Sequence, residues 1–202
     1  PCAAEHLDTV SANDSVLDRH GLRGVDYVLA VGSTHPAKNF PALVEAFAGL
    51  RAERPLRLVV VGAANAAVFV SESLPTAENV VAVGAVDDGE LKALYEHALC
   101  FAFPSLYEGF GIPPLEAMAC GCPVIASRVA SIPEVCADAA LYFDPYDVSD
   151  LRNVLARVAV DASLRDDLRR RGTARAREFT WARSARTLLG EAAAVLPPGG
   201  DH

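Results

Sequence analysis

Glu108-Gly-Phe-Gly-Ile-Pro-Pro-Leu-Glu116 runs into Ala117-Met118-Ala119-Cys120-Gly121 and, past Cys122, into Pro123-Val124-Ile125-Ala126. Two prolines behind a Gly-x-Gly turn suit the first turn of a helix, where a missing N–H is not needed. The small apolar run behind them predicts a buried helix over Ile112–Ala119. The last run predicts a strand over Pro123–Ser127. Loop, helix and strand in that order are one half-turn of an alternating α/β chain.

The alternation extends in both directions. Apolar runs at Tyr27–Val31, Leu56–Val61 and Asn79–Val83 end in Gly32, Gly62 and Gly84, and Leu99–Phe103 ends in Pro104. A further short strand is predicted at Ala140–Phe143. Between them, Asn39–Arg54 carries helical spacing through Phe40, Leu43, Val44, Phe47 and Leu50. Asp87–Ala98 is predicted as a helix capped by Asp87. Asp147–Ala159, Ser163–Phe179 and Thr180–Val195 are predicted as three terminal helices. Apolar strands separated by helices mean a parallel sheet covered on both faces, an α/β doubly wound, Rossmann-like parallel sheet over residues 27–196. Residues 1–26 are polar and read as a linker or entry segment, with a turn of helix near Ser15–His20. Residues 197–202 read as a tail.

Composition fits such a domain. The 202 residues are 51% hydrophobic, and the formal net charge is −8. That balance argues against a nucleic-acid partner, which favours a basic face. No apolar run is long enough for a transmembrane helix, and no signal peptide is expected. The chain opens on Pro1 rather than Met, so a trimmed or partial chain is expected. Five cysteines stand at 2, 100, 120, 122 and 136. Cys120-Gly-Cys122 has no second pair at zinc spacing, so buried thiols in a reducing cytoplasm are the favoured reading.

Ligands of doubly wound folds bind beyond the carboxyl ends of the strands, where the polar motifs of this chain gather. A helix N-terminus behind a glycine turn offers free N–H groups and the positive end of a dipole to phosphate. Glu108 and Glu116 add acceptors for sugar hydroxyls. Phosphate and hydroxyls together point to a nucleotide-sugar. Gly32-Ser33-Thr34-His35-Pro36-Ala37-Lys38 offers a tight turn and one cation where the next helix starts. From this loop alone a solvated lysine is the simpler reading, and from the Glu pair alone two surface carboxylates are. No Gly-x-Gly-x-x-Gly follows the first strand, so a dinucleotide cofactor is not expected.

Taken together, these ordered segments resemble the retaining GT-B glycosyltransferases of the group-1 (family 4) class. Phe103 to Ser127 resembles the nucleotide-sugar-binding, C-terminal half, with Glu-x7-Glu as the class signature. Val31-Gly-Ser…Lys38-Asn is similar to its diphosphate loop. Val83-Gly-Ala-Val-Asp-Asp…Leu91…Leu94-Tyr is similar to its base-contact strand and helix. Ser131-Ile-Pro-Glu134-Val and Ala140-Leu-Tyr-Phe-Asp144-Pro resemble later landmarks. The match leans towards mannosyltransferases of bacterial polysaccharide synthesis.

The resemblance implies roles. Glu116 would take the ribose hydroxyls, and Glu108 the donor sugar. Gly109, Phe110, Gly111 and Ile112 would offer backbone to sugar and phosphate. Gly32 and Ser33 would line the diphosphate loop, and Lys38 would hold the diphosphate as it leaves. Val83 and Val86 would line the base. Lys38 and Glu108 would be the catalytic pair. No metal and no cofactor beyond the donor is implied, with GDP-mannose the first guess. The acceptor, a glycan or lipid-linked sugar, would sit in an N-terminal domain absent from this chain. A cytoplasmic location and peripheral membrane association of the full-length protein are further expectations. Many relatives carry another basic residue where this chain has Ser33 or Ala37. A non-catalytic interaction module of the same fold, or a same-fold sugar-nucleotide epimerase, stands as the alternative.

Overall fold

The computed structural model describes residues 4–33, 35–50, 54–62 and 79–195. Cys2, Thr34, the end of the helix expected to reach Arg54, and the tail at 197–202 fall wholly or partly outside them. Six strands make one parallel sheet: β1 (Asp26–Val31), β2 (Leu56–Val61), β3 (Val80–Gly84), β4 (Cys100–Phe103), β5 (Val124–Ser127) and β6 (Ala140–Phe143). Their order is β3-β2-β1-β4-β5-β6. β1 runs in register with β2 from Asp26↔Leu56 to Val31↔Val61 and pairs on its other side with β4 at Val28↔Cys100. The order reverses between β1 and β4. The loops leaving those two strands depart to opposite sides and open a crevice.

Both faces are covered. On one, α2 (Phe40–Ala48) and α6 (Val148–Val160) bury Phe40, Leu43, Val44, Leu151 and Leu155. On the other lie α1 (Ser15–Arg19), α3 (Asp88–His97), α4 (Ile112–Ala119), α5 (Ile132–Cys136) and α7 (Ala162–Ala176). Inward side chains alternate between these faces along each strand: Tyr27, Leu29 and Val31 turn to the second, Val28 and Ala30 to the first. Asp87 caps α3, its carboxylate accepting from Glu90 N at 2.8 Å. Gly62 is held at φ +93°, and a Cβ there would lie 2.6 Å from the Gly32 carbonyl oxygen. Only glycine lets the ends of β1 and β2 approach that closely.

Three expectations change. The helix after β1 ends at Ala48, because Gly49 closes it and an added Cβ there would overlap the Arg152 guanidinium. Lys38 does not start that helix: it ends a separate 3-10 turn, Pro36–Lys38, capped by His35, before Asn39 turns left-handed at φ 53°. Residues 4–25 do not pack as a linker. Leu7, Val16, Leu17 and Leu22 join the core, and Lys92 Nζ donates to the carbonyls of Leu7 (2.8 Å) and Val10 (2.9 Å). Four apolar side chains in a polar stretch suffice to seat it over α3. The thiols of Cys100, Cys122 and Cys136 are buried, and burial pushes those of Cys100 and Cys136 up to about 12.

The last helix, α8 (Trp181–Val195), carries Trp181, Leu188 and Leu189 more than half exposed. It lies on the domain rather than in its core.

Ala137 follows α5 at φ 48°, ψ −126°, a region that suits glycine alone. The Tyr142 hydroxyl, donating to its carbonyl at 2.6 Å, holds it there. Ala137→Gly is therefore expected to stabilise the fold by about 1 kcal/mol. The check is the denaturant midpoint at unchanged m-value; a midpoint that stays or falls would show that Ala137 stores no strain.

Candidate functional site

The crevice between β1 and β4 brings together the two residues that the resemblance names as the catalytic pair. Lys38 leaves the 3-10 turn after β1, and Glu108 stands on the loop after β4. Lys38 Nζ lies 2.6 Å from Glu108 Oε1, with both side chains largely enclosed. The loops are stitched by Leu106 N donating to the Ala37 carbonyl at 2.8 Å. The stem of Lys38 passes over Gly32, its Cδ 3.5 Å from where a Cβ would stand. Its ammonium sits 5.5 Å from the centre of the Phe103 ring. A larger residue at position 32 would crowd that stem.

Serines support Glu108 from below. Ser105 Oγ donates to Glu108 Oε1 at 2.7 Å, and Ser127 Oγ donates to the Ser105 carbonyl at 2.6 Å. Both serines are fully buried, so their hydroxyls are committed to this chain of bonds. Glu108 Oε2 receives no hydrogen bond from a described residue. Lys38 has three N–H groups and gives one to Glu108, which leaves donors and an acceptor side by side in the crevice.

Gly111, at φ +102°, precedes α4 without a side-chain cap. Pro113 and Pro114 have no N–H, so Ile112 alone supplies one within the first three helical positions. The N–H groups of Gly109, Phe110, Gly111 and Ile112 donate to no described residue. Prolines that begin the helix thus also thin out its free donors, and the preceding loop makes up the number.

Glu116 lies one turn further on and is buried, 9% exposed. Tyr95, on α3, donates to its Oε2 at 3.1 Å. His6 Nε2, from the entry segment, stands 3.4 Å from Oε1. Burial raises the Glu116 carboxyl above its ordinary value; the Tyr95 bond and His6 oppose the rise, and Asp88 adds to it. Val83, at the end of β3, and Val86 beyond it are half-buried on the same core as Phe110, on the face that carries α3 and α4. Ser33 stays exposed, its Oγ 3.5 Å from His35 N. The two glutamates therefore have separate environments: Glu108 paired with the cation, Glu116 enclosed by a tyrosine and a histidine.

Sequence reasoning placed Ser105, Tyr95, Ser127 and Ser131 within matched segments but gave none of them a role, and it passed over His6. Ser105 stands three residues before Glu108, a Ser-x-x-Glu spacing that could have marked it. His6 lies 110 positions from Glu116, and no local pattern reaches so far.

Six parallel strands, a switch point between β1 and β4, and a lysine and glutamate at its mouth define a Rossmann-like half of a GT-B fold. The chain belongs to the glycosyl transferases group 1 family, whose profile matches residues 18–175. It is 37% identical over 187 residues to the O-antigen chain mannosyltransferase B of Escherichia coli, covering 89% of this chain and 49% of that protein. It is 34% identical over 183 residues to the serotype-specific mannosyltransferase WbdA of Escherichia coli, covering 87% of this chain and 22% of that one. The chain thus spans about half, or less, of the curated relatives it matches. Among solved structures, sucrose-phosphate synthase of Thermosynechococcus elongatus superposes with a TM-score of 0.79 at 26% identity, over 97% of this chain and 52% of that one. Anabaena HepE, solved with UDP and glucose, shares the fold with a TM-score of 0.75 at 20% identity, over 94% of this chain and 55% of that one.

Proposed function

We propose that this chain is the donor-binding half of a retaining glycosyltransferase that moves a hexosyl group, mannosyl first, from a nucleoside diphosphate sugar to a glycan or lipid-linked acceptor. The observation that carries it is the Lys38–Glu108 pair at the switch point, with Glu108 on the loop that leads into an uncapped helix N-terminus. A cation and free N–H groups suit a diphosphate; an unshared carboxylate oxygen beside them suits a sugar hydroxyl. Glu116 takes the ribose hydroxyls, and the end of β3 with Val83 and Val86 lines the base. The mannosyltransferase relatives support the choice of sugar.

In the reaction the bond from the anomeric carbon to the diphosphate oxygen breaks. A bond to the acceptor oxygen forms on the same face of the sugar. The acceptor proton passes to the departing phosphate oxygen. Lys38 and the dipole of α4 hold the charge that develops on the diphosphate. The acceptor is held by a second domain, the reaction needs no metal, and it proceeds in the cytoplasm.

Calorimetric titration with GDP, UDP, GDP-mannose and UDP-glucose, in the presence of EDTA, tests the reading. Binding selective for one base and indifferent to EDTA is expected. Heat with none of the four would overturn it, and binding that EDTA abolishes would overturn the metal-independent mechanism.

A further inference from the structure

A serine just before a helix ordinarily turns its hydroxyl onto that helix's own free N–H groups. Ser131 precedes α5 and makes no such bond. Its Oγ reaches away from its own helix to the loop before α4, 3.0 Å from the Glu108 carbonyl oxygen and 3.1 Å from that of Phe110. One hydroxyl carries one hydrogen, so the two carbonyls share it.

Among the described residues, this loop included, no peptide bond is cis. In a trans peptide the C=O and the N–H that follows it point opposite ways. Drawing the carbonyls of Glu108 and Phe110 towards Ser131 turns the N–H groups of Gly109 and Gly111 away from it. Those N–H groups donate to no described residue. Gly109 adds a separate observation. Its φ is not positive and an added Cβ would meet nothing within 4 Å. The fold therefore does not require glycine there, although glycine weakens a folded chain through its backbone entropy. A ligand brought close to the backbone would require it.

We infer that Ser131 is a positioning residue, which sets the Gly109 and Gly111 N–H groups to receive the oxygens of the sugar and its attached phosphate. This rests on the donor-binding reading above. Ser131 acts through the loop and does not touch the donor. It also fixes the backbone of Glu108, whose side chain Lys38 and Ser105 hold from the other end.

The test uses Ser131→Ala, Ser131→Thr and Gly109→Ala in the full chain, titrated with GDP-mannose and guanosine and with UDP-glucose and uridine. Ser131→Ala is expected to weaken binding of the preferred sugar nucleotide about tenfold and leave its nucleoside unchanged. Ser131→Thr keeps a hydroxyl and is expected to restore most of the affinity. Gly109→Ala, which meets open space, is expected to keep the thermal midpoint and lose the sugar nucleotide selectively. Sugar-nucleotide affinity unchanged in Ser131→Ala would overturn the inference and leave the donor reading standing. An equal loss for nucleoside and sugar nucleotide would reduce Ser131 to a structural role and overturn it too. If the unaltered chain binds neither probe, the donor reading fails and the inference fails with it.

Discussion

Lys38→Met is expected to slow glycosyl transfer by two to three orders of magnitude, the usual effect of removing one donor aimed at developing negative charge, about 2.7–4 kcal/mol. Methionine keeps the apolar stem that lies over Gly32 and near the Phe103 ring, so packing is retained while the charge is lost. The effect should be large because Lys38 is the cation that the structure brings to the mouth of the crevice, in a chain of net charge −8. On the donor-binding proposal, the remaining help would come from the α4 dipole and the loop N–H groups. Glu108 would keep its Ser105 bond, so the fold should survive with a modest loss of stability. Single-turnover rates of the full-length protein, with donor bound at saturation, are the measurement. A rate within threefold of the unaltered protein would remove Lys38 from the catalytic role.

Glu116→Gln should weaken donor binding at least tenfold, about 1.4 kcal/mol, and still make the protein more stable near neutral pH. Burial raises the Glu116 carboxyl above its value in the unfolded chain. The native state therefore holds this proton over a pH range in which the unfolded chain has released it. Stability from this group is greatest below the unfolded value of 4.5 and declines as pH rises through the folded one. Glutamine accepts the Tyr95 bond without a charge to desolvate, so the decline should vanish in the variant. Donor affinity runs the other way. An ionised carboxylate accepts ribose hydroxyls best, so affinity should fall as the pH drops through the raised value. In the variant that dependence should flatten. Urea unfolding and calorimetry across pH give both curves. Equal pH slopes in the two proteins would mean that Glu116 is not the titrating group. Such a residue would strengthen binding while weakening the fold.

Much of the fold is local enough to read directly. The bounds of α4 follow from Gly111, Pro113 and Pro114 at one end and Cys120-Gly121 at the other, and they match expectation residue for residue. Glycine or proline just beyond β1, β2 and β4 fixed those strand ends, because a turn there needs such residues. The pairing of Lys38 with Glu108 was only half legible: each could be placed at the end of a strand, but their contact needs β1 and β4 to be neighbours, and that depends on the winding of the whole chain. The seating of residues 4–25 was hidden for a similar reason. Leu7, Val16, Leu17 and Leu22 are too few to make a pattern, and their burial comes from partners about eighty residues away, such as Lys92 beneath the Leu7 carbonyl. The serine supports were hidden because a hydroxyl in a loop looks solvated until the loop is folded over it.

The placement of β1 has a consequence for the order of assembly during synthesis. This strand sits between β2 and β4, yet β4 emerges from the ribosome some seventy residues after β1. Until Cys100–Phe103 are available, β1 presents a bare apolar edge of backbone donors and acceptors, the kind of template on which nascent chains mispair. Parallel sheets with such distant neighbours gain their contacts late and close slowly. A pause in translation before residue 103 would prolong that exposed state, whereas a pause after β4 has paired would do far less harm.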